Sequence, residues 1–184
     1  INFIKKYFIE KSLSYFFTRE PGGTILGEKL REILLRNQMK AETESLLMFA
    51  ARNEHVHEII MPNLANGKNV ISDRFTDATY AYQSGGKNVA IEKISILRDW
   101  VHKDLKPDLT LLFDLPVEIS ISRLKSNGNL DKFENEGIEF HKKIRKSYLK
   151  LAKKEPNRFK VIHSDQNINK IEQEINSILD KIFS

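Results

Sequence analysis

The chain of 184 residues predicts an α/β fold: a doubly wound, mostly parallel sheet with helices on both faces. Three observations lead there. Four short apolar runs, LSYFFT (13–18), NVIS (69–72), LTLLFDL (109–115) and FKVIHS (159–164), have the length and composition of buried strands. The segments between them are longer and repeat their apolar residues at helical spacing. Charged residues stand where the strands end, the edge at which such a sheet binds its ligands.

Each element follows from its own pattern. A helix over 1–12 places Ile1, Ile4 and Phe8 around Lys5 and Lys6. The first strand closes in Thr18-Arg19-Glu20, and Pro21-Gly22-Gly23-Thr24 turns the chain into a helix over 25–37. That helix carries Ile25, Leu26, Leu30, Ile33 and Leu34 on one face. A longer helix over 42–65 stops at the Gly of NGKN. Further helices are expected at 77–84, 90–103, 116–126, 134–154 and 167–183, the last with a core stripe of Ile168, Ile171, Ile175, Leu179 and Ile182. No repeat, low-complexity run or linker divides the chain, so one domain spanning 1–184 is expected.

Composition narrows the functional classes. Lys and Arg number 30 against 25 Asp and Glu, a net charge of +5 that suits an anionic ligand without making a nucleic-acid tail. Phe16, Phe17 and Phe113 fall in runs that read as buried, which weighs against an RNA-binding face. Cysteine is absent, which excludes disulfides and thiolate metal sites and fits a reducing compartment. No apolar run approaches the roughly 18 residues of a membrane span, so neither membrane nor nucleic-acid partners are expected and the cytoplasm is the expected location.

Three stretches can carry chemistry. In SDRFTDATYAYQSGG (72–86), Asp73 and Arg74 follow a strand: the acid can hold a metal or its water, and the guanidinium can grip a phosphate with two parallel hydrogen bonds. Arg19 and Glu20 form a second pair at a strand end. In ETESLLMFAARNEHVHEII (42–60), Met48, Phe49 and Arg52 share a face, an arrangement that suits a flat base with a carbonyl edge, although a lone Arg on an apolar helix also snorkels to solvent. His55 and His57 are two residues apart and lie on different faces, so neither a zinc pair nor a catalytic histidine is read. Arg123, Lys125 and Lys132 bunch around Asn127-Gly128, as a basic flap over a triphosphate or as a solvated loop.

Taken together, TREPGGT (18–24), ETESLLMFAAR (42–52), DRFTDATYAYQ (73–83), PDLTLLFDLP (107–116) and LDKFENEGIEFHKKIRKSYLKLA (130–152) resemble the bacterial-type thymidylate kinases, in the order and spacing of that family. The resemblance implies a P-loop nucleoside monophosphate kinase-like fold with a short basic lid at about 123–133. It implies transfer of the ATP γ-phosphoryl group to dTMP, with Mg2+, by a homodimer packed through long helices such as 42–65. Carried over by position, Asp73 and Glu20 serve the metal and phosphate region, and Arg74 takes the acceptor phosphate with Arg19 beside it. Arg52 meets the thymine carbonyl edge, Thr79 and Gln83 line the nucleoside, Tyr82 crowds the sugar 2′ position, and Arg123 and Lys125 belong to the lid over ATP.

The sequence departs from the family in four places. It holds no G-x-x-x-x-G-K-[ST], so a strand and a P-loop are expected upstream of Ile1, and an intact mass of 21.4 kDa would count against that expectation. The stacking position four residues before Arg52 is Met48; Phe49 is the expected base-stacking residue, with Met48 as the alternative. Asn127 and Lys132 stand in the lid where relatives often carry Arg, and a lysine cannot grip phosphate as a planar fork. Ala78 and Ser84 replace a Ser and a Gly. Two alternatives are another nucleoside or nucleotide kinase and a non-catalytic dTMP-binding module. The thymine methyl is worth only about 0.8 kcal/mol of burial, so composition does not rank dTMP over dUMP.

Overall fold

The computed structural model describes residues 1–126 and 130–183, leaving aside the side chains of Lys125 and Ser126. The expected roles of Lys125 and Asn127 therefore lie outside what is described.

Four strands form where the apolar runs predict them: β1 (Tyr15–Arg19), β2 (Asn69–Asp73), β3 (Thr110–Asp114) and β4 (Phe159–His163). All pairing is parallel, β1 with β2 and β3 with β4. The register sets Arg19 beside Asp73 and Asp114 beside His163, so the charged residues gather at the carboxyl edge. The helices are α1 (Asn2–Glu10), α2 (Ile25–Arg36), α3 (Ala41–His55), α4 (Met61–Ala65), α5 (Thr76–Thr79), α6 (Ile91–Val101), α7 (Val117–Ser126), α8 (Ile138–Lys154) and α9 (Ile168–Phe183).

The sheet divides into two ladders, for among the described residues no strand pairing joins β1–β2 to β3–β4. Each strand consequently pairs along one edge only, and Phe113 on β3, expected to be buried, is 47% exposed. What unites the halves is a shared core. Tyr7 and Phe8 of α1 and Ile171, Ile175 and Leu179 of α9 pack with Ile162 of β4, and Tyr15, Ile71 and Leu111 from the other strands close on the same cluster. The outer residues of the α9 stripe, Ile168 and Ile182, stay exposed. A polar rivet adds to this: the Arg158 guanidinium donates to both Asp77 carboxylate oxygens at 2.6 and 2.9 Å and to Thr110 Oγ1 at 2.8 Å. Asp114, which ends β3, is gripped from α8 by the Arg145 guanidinium at 2.6 and 2.8 Å.

Three helix expectations change in detail. The run 42–65 is helical throughout but widens to a π turn at Val56–Ile60, just ahead of Pro62, whose ring has no N–H to continue a regular ladder. The segment after β2 is one short turn, α5, followed by a π-helix at Tyr80–Gly86. This π-helix lies against α8 so closely that a Cβ on Gly85 would stand 2.6 Å from Ser147, and one on Gly86 2.5 Å from Phe140. Helix α8 begins at Ile138 rather than 134, because the Asp131 carboxylate accepts the N–H groups of Phe133 and Glu134 at 2.8 and 2.9 Å and holds a turn there.

Candidate active site

The loop after β1 is fixed from within. Gly22 and Gly23 take φ of 137° and 83°, a region that L side chains rarely enter. A Cβ on Gly23 would also stand 2.7 Å from both His55 and Thr18. Thr24 then caps α2, its hydroxyl oxygen accepting the Gly27 N–H at 2.9 Å. Glu28 in the first turn of α2 accepts the Gly23 N–H at 3.0 Å and an Arg19 N–H at 2.8 Å. Arg19 is exposed and held by Glu28 outside the cavity wall.

Glu20 points the other way, into a buried network. Its Oε2 accepts from Arg52 Nε at 2.7 Å and its Oε1 pairs with His55 Nδ1 at 2.8 Å, while His55 Nε2 lies 2.6 Å from Thr18 Oγ1. Arg52 Nη2 donates to Thr79 Oγ1 at 3.1 Å. Burial pushes the Glu20 carboxyl upward, but Arg52 and His55 outweigh it and leave its pKa below the ordinary range. Both carboxylate oxygens are thus spent inside the protein, which corrects the expectation that Glu20 faces a metal. His55, read from sequence as neither zinc ligand nor catalyst, is fully buried as the brace between the loop and α3, whereas His57 is exposed.

Above this network lies a cavity of about 260 Å³. Glu20, Arg52, Arg74, Thr79, Tyr82 and Gln83 all contribute to its wall, so six of the site residues expected from sequence converge on one space. The Arg52 Nη1 is buried with no hydrogen-bond partner. Arg74 has φ of 73°, which turns its side chain back over the Tyr82 ring at 5.0 Å. Phe49 is not part of the wall: it is buried against Val89 and Ile94, with its ring 4.7 Å behind the Arg52 guanidinium. Met48 and Phe75 line the cavity instead, because one residue along a helix turns the side chain by about 100°. Asp73 is exposed at the end of β2, its carbonyl accepting the Glu20 N–H at 2.9 Å.

Comparison with known proteins decides the kinship of this arrangement. The thymidylate kinase family model matches residues 1–175. The chain belongs to the thymidylate kinase family. It is 54% identical over 169 residues to the thymidylate kinase of Methylobacillus flagellatus, covering 92% of this chain and 83% of that one. It is 48% identical to that of Neisseria meningitidis serogroup B, covering 98% and 88%. The crystal structure of thymidylate kinase from Ehrlichia chaffeensis superposes with a TM-score of 0.72 at 31% identity, over 97% of this chain and 86% of that one.

In this thymidylate kinase family member the cavity also has residues that the sequence reading passed over. Arg31 lines it together with Leu35, one turn on along α2, on the side of the helix away from the apolar stripe read from sequence, so that stripe gave no signal for it. His141 of α8 lines it too, with Nε2 buried and unpartnered. Glu44 of α3 is fully buried and accepts from Gln83 Nε2 at 2.9 Å, Lys87 Nζ at 2.9 Å and Lys132 Nζ at 2.7 Å. Burial raises the Glu44 carboxyl, yet Lys132, Gln83 and Lys87 together hold it below its ordinary pKa. Lys132, expected on a basic flap, is therefore docked on α3, with a further bond to the Asn37 carbonyl at 2.9 Å. Arg123 is exposed on α7 and reaches the Ser164 carbonyl at 3.4 Å, away from the cavity.

Proposed function

We propose that this chain transfers the γ-phosphoryl group of ATP to the 5′-phosphate of dTMP, giving dTDP and ADP. The observation that carries the reading is a cavity lined by both Arg74 and Arg52, the Nη1 of Arg52 being buried without a hydrogen-bond partner. An acceptor oxygen of dTMP attacks the γ-phosphorus as the bond to the β-phosphate oxygen breaks. A phosphate monoester with a second pKa of about 6 is already mostly dianionic at neutral pH, so no general base is required. Arg74 positions that dianion, and the Arg52 Nη1 donates to a base carbonyl. Met48 and Phe75 flank the base, while Tyr82 narrows the space beside the sugar. Glu20 and Thr79 act through Arg52 by holding it.

Among the described residues, no group of three or more His, Asp and Glu could cage a metal. Magnesium in phosphoryl transfer needs only one or two carboxylates, because phosphates and water supply the rest. Asp73, exposed beside Arg74, fits that requirement. Asp73 would hold magnesium there, and the ion would supply charge neutralisation to the transferring phosphates.

The same reading includes one domain over 1–184 and a lid at about 123–133 with Arg123 and Lys125 toward ATP. It also includes a cytoplasmic homodimer, supported by Leu46, Met61 and Leu64 exposed along α3 and α4. No helix among the described residues is long and apolar enough to cross a membrane.

The test is ADP release from Mg-ATP with dTMP, dUMP, dCMP and dAMP in parallel. Turnover of dTMP well above dCMP and dAMP is expected; turnover of none of them overturns the reading.

A further inference from the structure

We infer that Glu44 sets the base preference of the acceptor cavity as a positioning residue, by fixing which end of the Gln83 amide faces the bound base; this rests on the dTMP reading above. A carboxylate has acceptors and no donor, and Glu44 meets two ammonium groups, Lys87 at 2.9 Å and Lys132 at 2.7 Å. Facing it, the Gln83 amide can offer only its NH2 end, as it does at 2.9 Å. Turning the amide over would set oxygen against oxygen. Glu44 is 0% and Gln83 1% exposed, so no bulk water relieves that clash, and an unsatisfied buried polar pair is costly.

With its NH2 end taken, Gln83 has its Oε1 left for the cavity that it lines. The wall therefore offers one fixed acceptor, Gln83 Oε1, and one fixed donor, the unpartnered Arg52 Nη1. Thymine and uracil carry the complementary pair on one edge, an N3–H donor beside an O4 acceptor. Cytosine carries the inverse, an N3 acceptor beside an N4 amino donor, and mismatches both. Each half of this readout is set by its own buried carboxylate: Glu20 holds Arg52, and Glu44 holds Gln83. Glu44, Met48 and Arg52 succeed one another at i, i+4 and i+8, so a single stripe of α3 carries both settings and a flank of the cavity. The methyl group plays no part, so dTMP and dUMP are not distinguished by this pair.

The experiment measures kcat/KM for dTMP, dUMP and dCMP in the wild type, Glu44→Leu and Glu44→Asp. Leucine frees the Gln83 amide to turn over. Aspartate keeps the charge that Lys87 and Lys132 need but withdraws it from Gln83 by one methylene, so it tests the idea even where the leucine variant fails to fold. Expected is a dTMP:dCMP ratio that falls at least tenfold in Glu44→Leu and less in Glu44→Asp, with the dTMP:dUMP ratio unchanged. In a Gln83→Leu background the same changes at 44 should leave the dTMP:dCMP ratio where Gln83→Leu alone puts it. A ratio constant within twofold across wild type and variants, with all substrates weakened alike, overturns the inference and leaves the kinase reading intact. If the wild type turns over no monophosphate, the kinase reading fails, and the ratio of dTMP to dCMP dissociation constants measured by calorimetry on the same proteins decides the Glu44 question.

Discussion

The cavity wall and the exposed face of α7 use charge in opposite ways. Around the cavity Glu20, Glu44 and Arg52 are almost inaccessible, and each is held by groups from other elements before any substrate arrives. On α7 Arg123 stands exposed and reaches the Ser164 backbone carbonyl at 3.4 Å. Under the proposed function the difference fits what each side would recognise. A base is told from another base by a donor and an acceptor in fixed places, and fixed polar groups must be buried and braced. A triphosphate brings several negative charges, and basic side chains can gather on it when it binds.

The contrast can be broken by four measurements. The largest effect is expected from Glu20→Ala, which strands the Arg52 guanidinium in the interior: loss of one partner of a buried pair costs about 3–5 kcal/mol, read by urea denaturation. A loss under 1 kcal/mol would mean that the network is not braced as described. Next comes Arg74→Ala, expected to lower kcat/KM for dTMP by about 10²–10³-fold, as for other groups that meet charge in the transition state, with the KM for ATP little changed. Unchanged turnover would remove Arg74 from the acceptor phosphate.

Third is the pH profile of stability. Glu20 and Glu44 both have folded pKa values below the ordinary carboxylate range. A depressed folded pKa contributes stability that is present above the unfolded value, about 4.3 for Glu, and lost as pH falls through the folded one. Melting temperature should therefore hold level for these groups between pH 7 and about 5 and fall below that. Glu44→Leu should flatten part of the acid limb; an acid limb identical to the wild type would show that Glu44 is not ionised in the fold. Smallest is Arg123→Ala, where exposure predicts a stability change within about 0.5 kcal/mol and the effect should appear as a raised KM for ATP. A change in the KM for dTMP alone would reverse the assignment of sides.

Much of this was legible in the sequence where the signal is local. Strand runs were found because four or five consecutive apolar residues have few other homes, and Pro21-Gly22-Gly23 announces a turn by composition. Arg74 was legible because it follows a strand and Arg52 because it interrupts an apolar helix face, whereas Thr79, Tyr82 and Gln83 were expected only from the resemblance to the thymidylate kinases; all five line the cavity. What escaped depends on partners distant in the chain. Glu44 meets Gln83 across 39 positions, and His55 meets Glu20 across 35, so neither residue's own neighbourhood marks it. Phe49 was chosen over Met48 because an aromatic ring is the better stacking surface, but helix rotation turns it toward α6. Lys132 looked like a loop charge because its carboxylate partner lies on α3.

Arg158 gives the molecule an alignment gauge. It sits just before β4 and holds Asp77, three residues beyond Arg74, together with Thr110 at the start of β3. The distance between the half of the protein that carries Arg74 and the half that carries α7 is thus spanned by one side chain. In-line transfer is unforgiving of offset, since a displacement of about 1 Å can cost on the order of a hundredfold in rate. Under the proposed function Arg158, which lies outside the cavity wall, would thereby help to set the spacing at which two nucleotides meet.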